Sequence, residues 1–281
     1  MAVSDDQTRI GGLTLVGTPI GNLSDFSPRA VEALAAADAI AAEDTRVSLK
    51  LLNHFGIKKP LVSYHEHNKA SRGEELIARM REGEQIALVT DAGMPAISDP
   101  GQALVAACHE QGIPVHVVPG PTAVATAVAL SGLPSGRFTF EGFLSVQKRE
   151  RREHLRSLAA EPRTMVLYEA PHKLRATLAD LLAALGDRRL AIVRELTKLH
   201  EEVQVTTLEK AVAKYEQDEP RGEIVLVIEG ATAPVCESTP EEAVALAKAF
   251  MEAGDRPADA AKKAAAQTGQ KKGDIYKRLM E

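Results

Sequence analysis

The 281 residues hold only two cysteines, Cys108 and Cys236, far apart and with no neighbouring Cys or His at metal-ligand spacing. That scarcity excludes a disulfide framework and argues against a zinc site. No apolar run reaches the roughly 20 residues a membrane span requires. The segment Met1–Arg9 is polar where a signal peptide would be apolar, so a cytoplasmic location and no membrane partner are expected. Nucleotide fingerprints are missing as well. Gly17 and Gly21 lack the G-x-G-x-x-G spacing, and no Gly-Lys-Ser/Thr follows to grip a triphosphate. No G-x-S-x-G elbow supports a Ser-His-Asp hydrolase, and there is neither an internal repeat nor a low-complexity segment. The formal net charge of −5 weighs against a uniformly basic nucleic-acid binder.

What is present is ample apolar material: a hydrophobic share of 44% supports one large or two modest domains. Up to about residue 130, short apolar runs near 13–16, 39–42, 86–89 and 115–118 alternate with helical patterns, which implies a parallel sheet. Ser27 and Pro28 mark a helix start, with Ala30, Val31, Leu34 and Ala35 expected on one face. The break Ser131–Gly136 separates this part from candidate strands at 138–143, 164–168, 190–194, 203–206 and 224–228, interleaved with helices near 149–159, 173–185 and 208–216. The expected fold class is α/β. An N-terminal α/β domain spans 11–131 and a second α/β domain with a mixed sheet spans 137–231. A small helical tail, 239–281, carries a spacing reminiscent of a helix-turn-helix.

Three of the first domain's strands run into Gly/Pro-rich turns. The most telling is Thr90–Gly101, where Asp91, Gly93, Pro95, Ser98, Asp99, Pro100 and Gly101 crowd twelve residues behind an interior strand. Gly17-Thr18-Pro19-Ile20-Gly21-Asn22-Leu23 and Pro119-Gly120-Pro121-Thr122-Ala123 repeat the pattern. Because ligands in open α/β sheets lie beyond the carboxyl ends of the strands, the three turns are expected to line one cleft, closed by the second domain.

Polar clusters follow other apolar stretches: Ala42–Arg46, Ser63–Asn68 and Arg194–Glu202. His65, Glu66 and His67 alone do not make a metal site, since alternate residues of an extended segment face opposite ways and no third ligand is near. Mixed Arg, His, Asn and Glu suit hydrogen bonding to a polar substrate such as a nucleotide, beside ordinary salt bridges. A basic run, Lys148, Arg149, Arg151, Arg152 and Arg156, and the C-terminal Lys262, Lys263, Lys271, Lys272, Lys277 and Arg278 fit either RNA contact or solvated helix faces, with Glu150 and Glu153 as local partners. Cys108, in an Ala-rich helix, reads as packing.

In order along the chain, Gly17–Leu23, Ala42–Arg46, Ser63–Asn68, Asp91–Gly101, Val118–Ala123, Glu169–Lys173 and Arg194–Glu202 resemble the ribosomal RNA small-subunit methyltransferase I family, over residues 11–230. That family is a branch of the tetrapyrrole-methylase-like, class III S-adenosylmethionine-dependent methyltransferases. Met94, where the family often has Thr, and Thr122, where Ser is frequent, are mild departures. The resemblance implies two α/β domains with S-adenosyl-L-methionine in the cleft between them, a homodimer, and 2′-O-methylation of a cytidine ribose in the decoding region of 16S rRNA within the small ribosomal subunit. It carries cofactor contacts onto Ile20, Ala92, Gly93, Met94, Ile97, Thr122, Ala123, Glu169 and Leu196, with no metal.

Methyl transfer needs the acceptor oxygen in line with the S–CH3 bond, so orientation is the main tool. A ribose hydroxyl also needs help in losing its proton. His67, Glu66, Asp44, Glu195 and Glu201 are the candidates for that step, with the base left open among them, and Arg46, Lys148 and His172 are the candidates for holding RNA. Two rival functions share parts of the pattern. A tetrapyrrole methyltransferase would use the same fold, yet the polar clusters suit a nucleic acid better than a porphyrinoid. A non-catalytic RNA-binding or ribosome-assembly factor would show no affinity for the methyl donor.

Overall fold

The computed structural model describes residues 10–218, 220–231 and 239–280; Met1–Arg9 and Cys236 lie outside the described residues. The chain divides into two compact units, one ending at Gly230 and one beginning at Ala231.

The first unit opens with five strands, β1 (Gly12–Val16), β2 (Ala39–Ala42), β3 (Leu61–Ser63), β4 (Gln85–Val89) and β5 (Val115–Val118). They pair in parallel in the order β3-β2-β4-β1-β5. Alternate residues of the central strands enter opposite cores. Leu13, Ala39, Ala41, Ile86 and Leu88 pack on one face, and Val16, Ile40, Ala42, Ala87 and Val89 on the other. Burial on both faces is why these strands read as continuous apolar runs. The sequence shows only a short apolar stretch at β3, which has three half-buried residues at the sheet edge and too little pattern to announce a strand.

Helix α1 (Pro28–Ala36) starts where the Ser27 hydroxyl accepts the Ala30 amide at 3.1 Å, with Pro28 at its first position. Ala30 and Leu34 are buried and Val31 half-buried, but Ala35 is exposed. One residue past Leu34 it lies about 100° around the helix, off the apolar stripe. Helices α2 (Thr45–His54), α3 (Lys69–Arg81) and α4 (Gly101–Glu110) complete the layers, and Cys108 is a free, fully buried packing residue of α4.

Helix α5 (Ala123–Ser131) packs Val124, Ala127 and Val128 on a second sheet. That sheet comprises β6 (Phe138–Phe143), β7 (Thr164–Glu169), β8 (Arg189–Arg194), β9 (Glu202–Thr207) and β10 (Ile224–Ile228), in the order β6-β7-β10-β8-β9. Only β6 and β7 run parallel, so the sheet is mixed, as the sequence suggests. Its other face is covered by α6 (Lys148–Leu158), α7 (Leu174–Leu185) and α8 (Leu208–Tyr215), through Leu155, Leu158, Leu178, Leu181 and Ala211.

A bulge interrupts β6 between Phe140 and Gly142, where Gly142 takes φ +64°. The extra residue re-aims the strand end, and Phe143 is left 61% exposed. On edge strand β9, Val203 and Val205 face solvent while Gln204 meets Lys214 and Tyr215 of α8.

The second unit holds α9 (Pro240–Glu252), α10 (Pro257–Thr268) and α11 (Lys272–Leu279). Thr239 and Glu242 form a reciprocal capping box that starts α9. Its small core is Ala243, Ala247, Ala261, Ala264 and Ile275. The helices are separated by Ala253–Arg256 and Gly269–Lys271. Among the described residues no helix is long and apolar enough to cross a membrane.

Candidate functional site

The turns that leave β1, β4 and β5 meet at the carboxyl edge of the first sheet. Thr18 and Gly93 exchange backbone hydrogen bonds at 2.9 and 3.2 Å, and the buried Thr18 hydroxyl donates to the Thr90 carbonyl at 3.2 Å. Gly93 sits at φ +93°, which favours glycine. Gly17 and Gly120 touch backbone to backbone: a Cβ on Gly17 would lie 2.7 Å from the Gly120 Cα and nitrogen. The Gly120 amide donates to Met94 Sδ at 3.3 Å, so the departure at Met94 ties the second turn to the third.

These turns and the second sheet enclose a cavity of about 470 Å³, a size suited to a small-molecule cofactor. Ile20, Ala92, Gly93, Met94, Ile97, Thr122 and Ala123 line it from the first sheet's side, and Glu169 and Leu196 from the second. The structure thus brings together all nine residues at which the resemblance placed cofactor contacts.

It also adds residues the sequence did not single out as contacts: Glu43, Thr90, Asp91, Ser98 and Asp99 on one wall, Phe143, Tyr168 and Glu223 on the other. Asp91 and Asp99 were visible as turn formers directly behind a buried strand, and Glu43 within a polar cluster. Nothing in the spacing announces Phe143, Tyr168 or Glu223, which arrive through the second sheet.

Charge is the cavity's most informative property. Glu43, Asp91, Asp99, Glu169 and Glu223 line it, and no Lys, Arg or His does among the described residues. The Thr90 hydroxyl donates to Glu43 at 2.9 Å. Asp91 accepts the Asp44 amide at 3.0 Å, yet burial raises its pKa above the usual carboxylate value. Asp99 is pushed up to about 6, chiefly by burial and then by its acidic neighbours Glu43 and Asp91, with the nearby Thr90 hydroxyl opposing the shift. Glu169, 5% exposed, accepts the Ala170 amide at 2.8 Å and the Thr177 hydroxyl. Thr177 in turn accepts from Arg151 of α6 at 2.9 Å, and Arg151 also pairs with Asp180 at 2.7 Å, which makes this arginine of the basic run a brace.

Backbone strain concentrates around the cavity. Ala96, Ser98, Glu195 and Thr197 have φ between +52° and +68°, a conformation costing about 1–3 kcal/mol each. The loop presenting Leu196 is held in it by its own carboxylates. Glu195 accepts from Lys198 Nζ and from the Glu223 amide, both at 2.9 Å, and Glu201 accepts the Thr197 amide at 2.7 Å. Lys198 foremost holds Glu195 below the usual carboxylate range.

The residues proposed for proton transfer and RNA contact lie outside the cavity lining. Asp44 caps α2 and is gripped by Arg46 at 2.6 Å, which lowers it to about 2. Glu66 pairs with Lys69 at 2.6 Å on the surface, and His67 is exposed. The segment Ser63–Asn68 turns rather than extends, so the His65 and His67 rings meet edge to face at 6.0 Å instead of pointing apart. Its neighbour Tyr64 is buried and donates to the Pro100 carbonyl at 3.3 Å, supporting the second turn from behind. Arg46 has an 88% exposed side chain. Lys148 is exposed at the start of α6, and His172 is exposed beside the lining residues Ala170 and Pro171. On α6, Arg149 pairs with Glu153 as expected, while Glu150 turns to Ser145.

This two-sheet α/β unit, with its cavity at the carboxyl ends of the parallel strands, has known relatives. The model of the Tetrapyrrole (Corrin/Porphyrin) Methylases matches residues 12–212, and the chain belongs to that family. Within it, the chain is 56% identical to the Ribosomal RNA small subunit methyltransferase I of Synechocystis sp., over 79% of this chain and 80% of that one. It is 48% identical to the protein of the same name from Thermotoga maritima, over 79% of this chain and 99% of that one. Among solved structures, uroporphyrin-III-C-methyltransferase from Thermus thermophilus shares the fold, with TM-score 0.56 and 23% identity over 78% of this chain and 94% of that one.

Proposed function

We propose that the chain transfers a methyl group from S-adenosyl-L-methionine to a cytidine 2′-hydroxyl in the decoding region of small-subunit ribosomal RNA. Relatives named for ribosomal RNA methylation, at about half identity over most of the chain, support the substrate class. The observation that carries the donor is the cavity's one-sided charge. Glu223 is paired with Lys198 at 3.4 Å, but Glu43, Asp91, Asp99 and Glu169, with no cation in the lining among the described residues, repel a phosphorylated cofactor and attract a sulfonium. Gly93 and Ala92 supply bare backbone, and Ile20, Met94 and Leu196 supply apolar walls for a nucleoside; Asp91 and Asp99 lie where they would hold the cationic groups. When bound, the donor supplies an electrophilic methyl on a positively charged sulfur. Transfer cancels that charge, so the same carboxylates hold the product less tightly than the substrate.

The chain's own part is orientation and exclusion of water: the braced 195–201 loop fixes Leu196, and the Thr18–Gly93 bridge fixes the opposite wall. A carboxylate of the acidic wall would draw off the hydroxyl proton, since Asp44 and Glu195 are paired with cations and Glu201 turns to the Thr197 amide outside the lining. The exposed Phe143, which lines the cavity, and the exposed start of α6 offer an aromatic face and positive charge to RNA.

Incubation of the purified chain with labelled donor and small subunits lacking the modification, followed by nuclease mapping, tests the assignment. Label at one cytidine ribose supports it. Donor binding without transfer to RNA defeats it, and no donor affinity would leave a binding factor. The Arg46→Ala, Lys148→Ala double variant is expected to raise KM for subunits several-fold, by roughly one decade at most, and to flatten its salt dependence, with donor affinity unchanged. A double variant matching the parent across a salt series would remove both residues from the RNA path.

The exposed Val203 and Val205 on edge strand β9 support a homodimer. Light scattering should give twice the chain mass, and Val205→Lys should shift it toward the monomer. The cytoplasm, where the ribosomal substrate resides, is the compartment this function requires.

A further inference from the structure

We propose that the C-terminal helical unit is a second RNA-contact surface, in which Lys262, Lys271, Lys272 and Lys277 meet backbone phosphates and Tyr276 stacks on an unpaired base. The proposal rests on the ribosomal RNA assignment above and concerns how that substrate is gripped.

The first observation is charge segregation. Between Pro257 and Met280 there are six Lys or Arg residues and two Asp, in a chain whose net charge is −5. Two of the six are spent on structure: Lys263 pairs with Asp255 at 2.6 Å, and Arg278 with Glu241 at 2.9 Å. Lys262, Lys271, Lys272 and Lys277 are exposed and have no carboxylate partner among the described residues. Neither packing nor pairing explains them. Asp259 stands one turn from Lys262 and Asp274 one turn from Lys271 and Lys277, yet neither carboxylate pairs with them among the described residues, and Lys272 has Tyr276 at that spacing instead.

The second observation is the solvent face of α11. Ile275 is buried in the unit's core, while Tyr276 is 40% exposed, one turn after Lys272 and next to Lys277, with no ring partner among the described residues. Gly273 lies between Lys272 and Tyr276, and a Cβ there would meet nothing within 4 Å. Gly273 is the second residue of α11, and packing gives no reason for a glycine there. It leaves bare backbone on that face, where a phosphate can approach closely.

Lysines combined with an exposed ring suit a single-stranded or looped nucleic acid, which offers phosphates to the charges and base faces to the ring. An acidic protein would use the lysines and leave the tyrosine idle. The unit lies beyond the residues 12–212 shared with the family model, consistent with a role in substrate capture rather than in the common chemistry.

The test uses the full chain with Lys262→Gln, Lys271→Gln, Lys272→Gln and Lys277→Gln together. The readouts are fluorescence anisotropy on a short single-stranded fragment of decoding-region ribosomal RNA over a salt series, calorimetry with S-adenosyl-L-methionine, and subunit methylation. RNA affinity is expected to fall about tenfold or more at moderate salt, and the log–log salt slope to shrink by about 3, since each of the four lost phosphate contacts on a single strand removes roughly 0.7. Donor affinity and kcat stay at the parent value. Tyr276→Ala should weaken RNA binding several-fold while Tyr276→Phe retains it. RNA affinity and slope equal to the parent's would overturn the proposal, as would a variant that loses affinity for polyglutamate but not for RNA. If the parent methylates no subunits, the functional assignment fails instead, and the anisotropy comparison still decides the role of this surface.

Discussion

Asp99→Asn is expected to bind S-adenosyl-L-methionine about 30-fold more weakly than the parent at pH 8, a loss of about 2 kcal/mol. That figure is the low end for truncating one partner of a desolvated charge pair, chosen because Asp99 is only half-buried. The pH dependence separates this from a shape effect. Asp99 titrates near 6 because burial and the Glu43 and Asp91 carboxylates disfavour its charge, and a cationic donor favours the ionised form. Parent affinity should therefore fall as pH drops through 6, and the variant's should stay nearly flat there. Asp44→Asn is the control: Asp44 titrates near 2 and does not line the cavity, so its pH profile between 5 and 8 should follow the parent's.

Stability moves the opposite way. A carboxyl whose folded pKa is raised from 3.8 to about 6 contributes stability below the unfolded value, and that contribution is lost as pH rises through the folded one. Removing the charge should then stabilise the donor-free protein at pH 7.5 by about 1 kcal/mol after discounting for solvent screening, or about 2–4 °C in Tm. The gain should vanish below pH 4. Calorimetric titration and thermal melts across pH measure both effects. A variant with parent-like affinity and a parallel pH curve would remove Asp99 from the donor site.

Much of the first sheet and its turns was legible because two physical signals coincide there. Interior parallel strands are apolar on both faces, and the turns behind them are crowded with glycine and proline where bare backbone is required. The turns that carry Ile20, Gly93 and Thr122 could be assigned to one cleft for that reason, while the choice of Ile20 and Thr122 as contacts came from the family resemblance. The second wall carried no such signal. Phe143 reaches the cavity after a bulge that no propensity announces, and Tyr168 on β7 and Glu223 just before β10 are brought there by an antiparallel pairing between strands remote in sequence.

The polar clusters show a different limit. Glu195, Glu201 and Asp44 have the composition of a catalytic loop, but their oxygens satisfy amides and cations of the protein, mostly of their own segments. A carboxylate bracing a strained turn and one facing a substrate look alike in sequence; only the direction of the side chain distinguishes them. Asp91 and Asp99 were the reverse case, noted for shaping a turn and found on the cavity wall.

Gly17→Ala should be the more damaging of the two large changes, because the clash it creates is with backbone. Its Cβ would stand 2.7 Å from the Gly120 Cα and nitrogen and 2.7 Å from Met94 Sδ. The methionine can swing aside, but Gly120 cannot: Val16 pairs with Val118, and the Gly17 amide donates to the Val118 carbonyl at 3.1 Å. Relief requires the ends of β1 and β5 to part, which costs about 2–3 kcal/mol by analogy with overpacked cores, or roughly 5–10 °C in Tm for a unit of this size. The same displacement pulls Thr18 from Gly93 and moves Ile20, so donor affinity should fall by at least about tenfold, the price of a wall shifted by a fraction of a bond length. Adding Met94→Ala should restore little, since the sulfur is the yielding partner. Gly56→Ala provides the comparison: nothing lies within 4 Å of its added Cβ, so only its left-handed backbone, φ +69°, is penalised. That variant should lose about 1 kcal/mol and keep full donor affinity. If Gly17→Ala melts and binds as Gly56→Ala does, the close approach of the two turns is not what shapes the cavity.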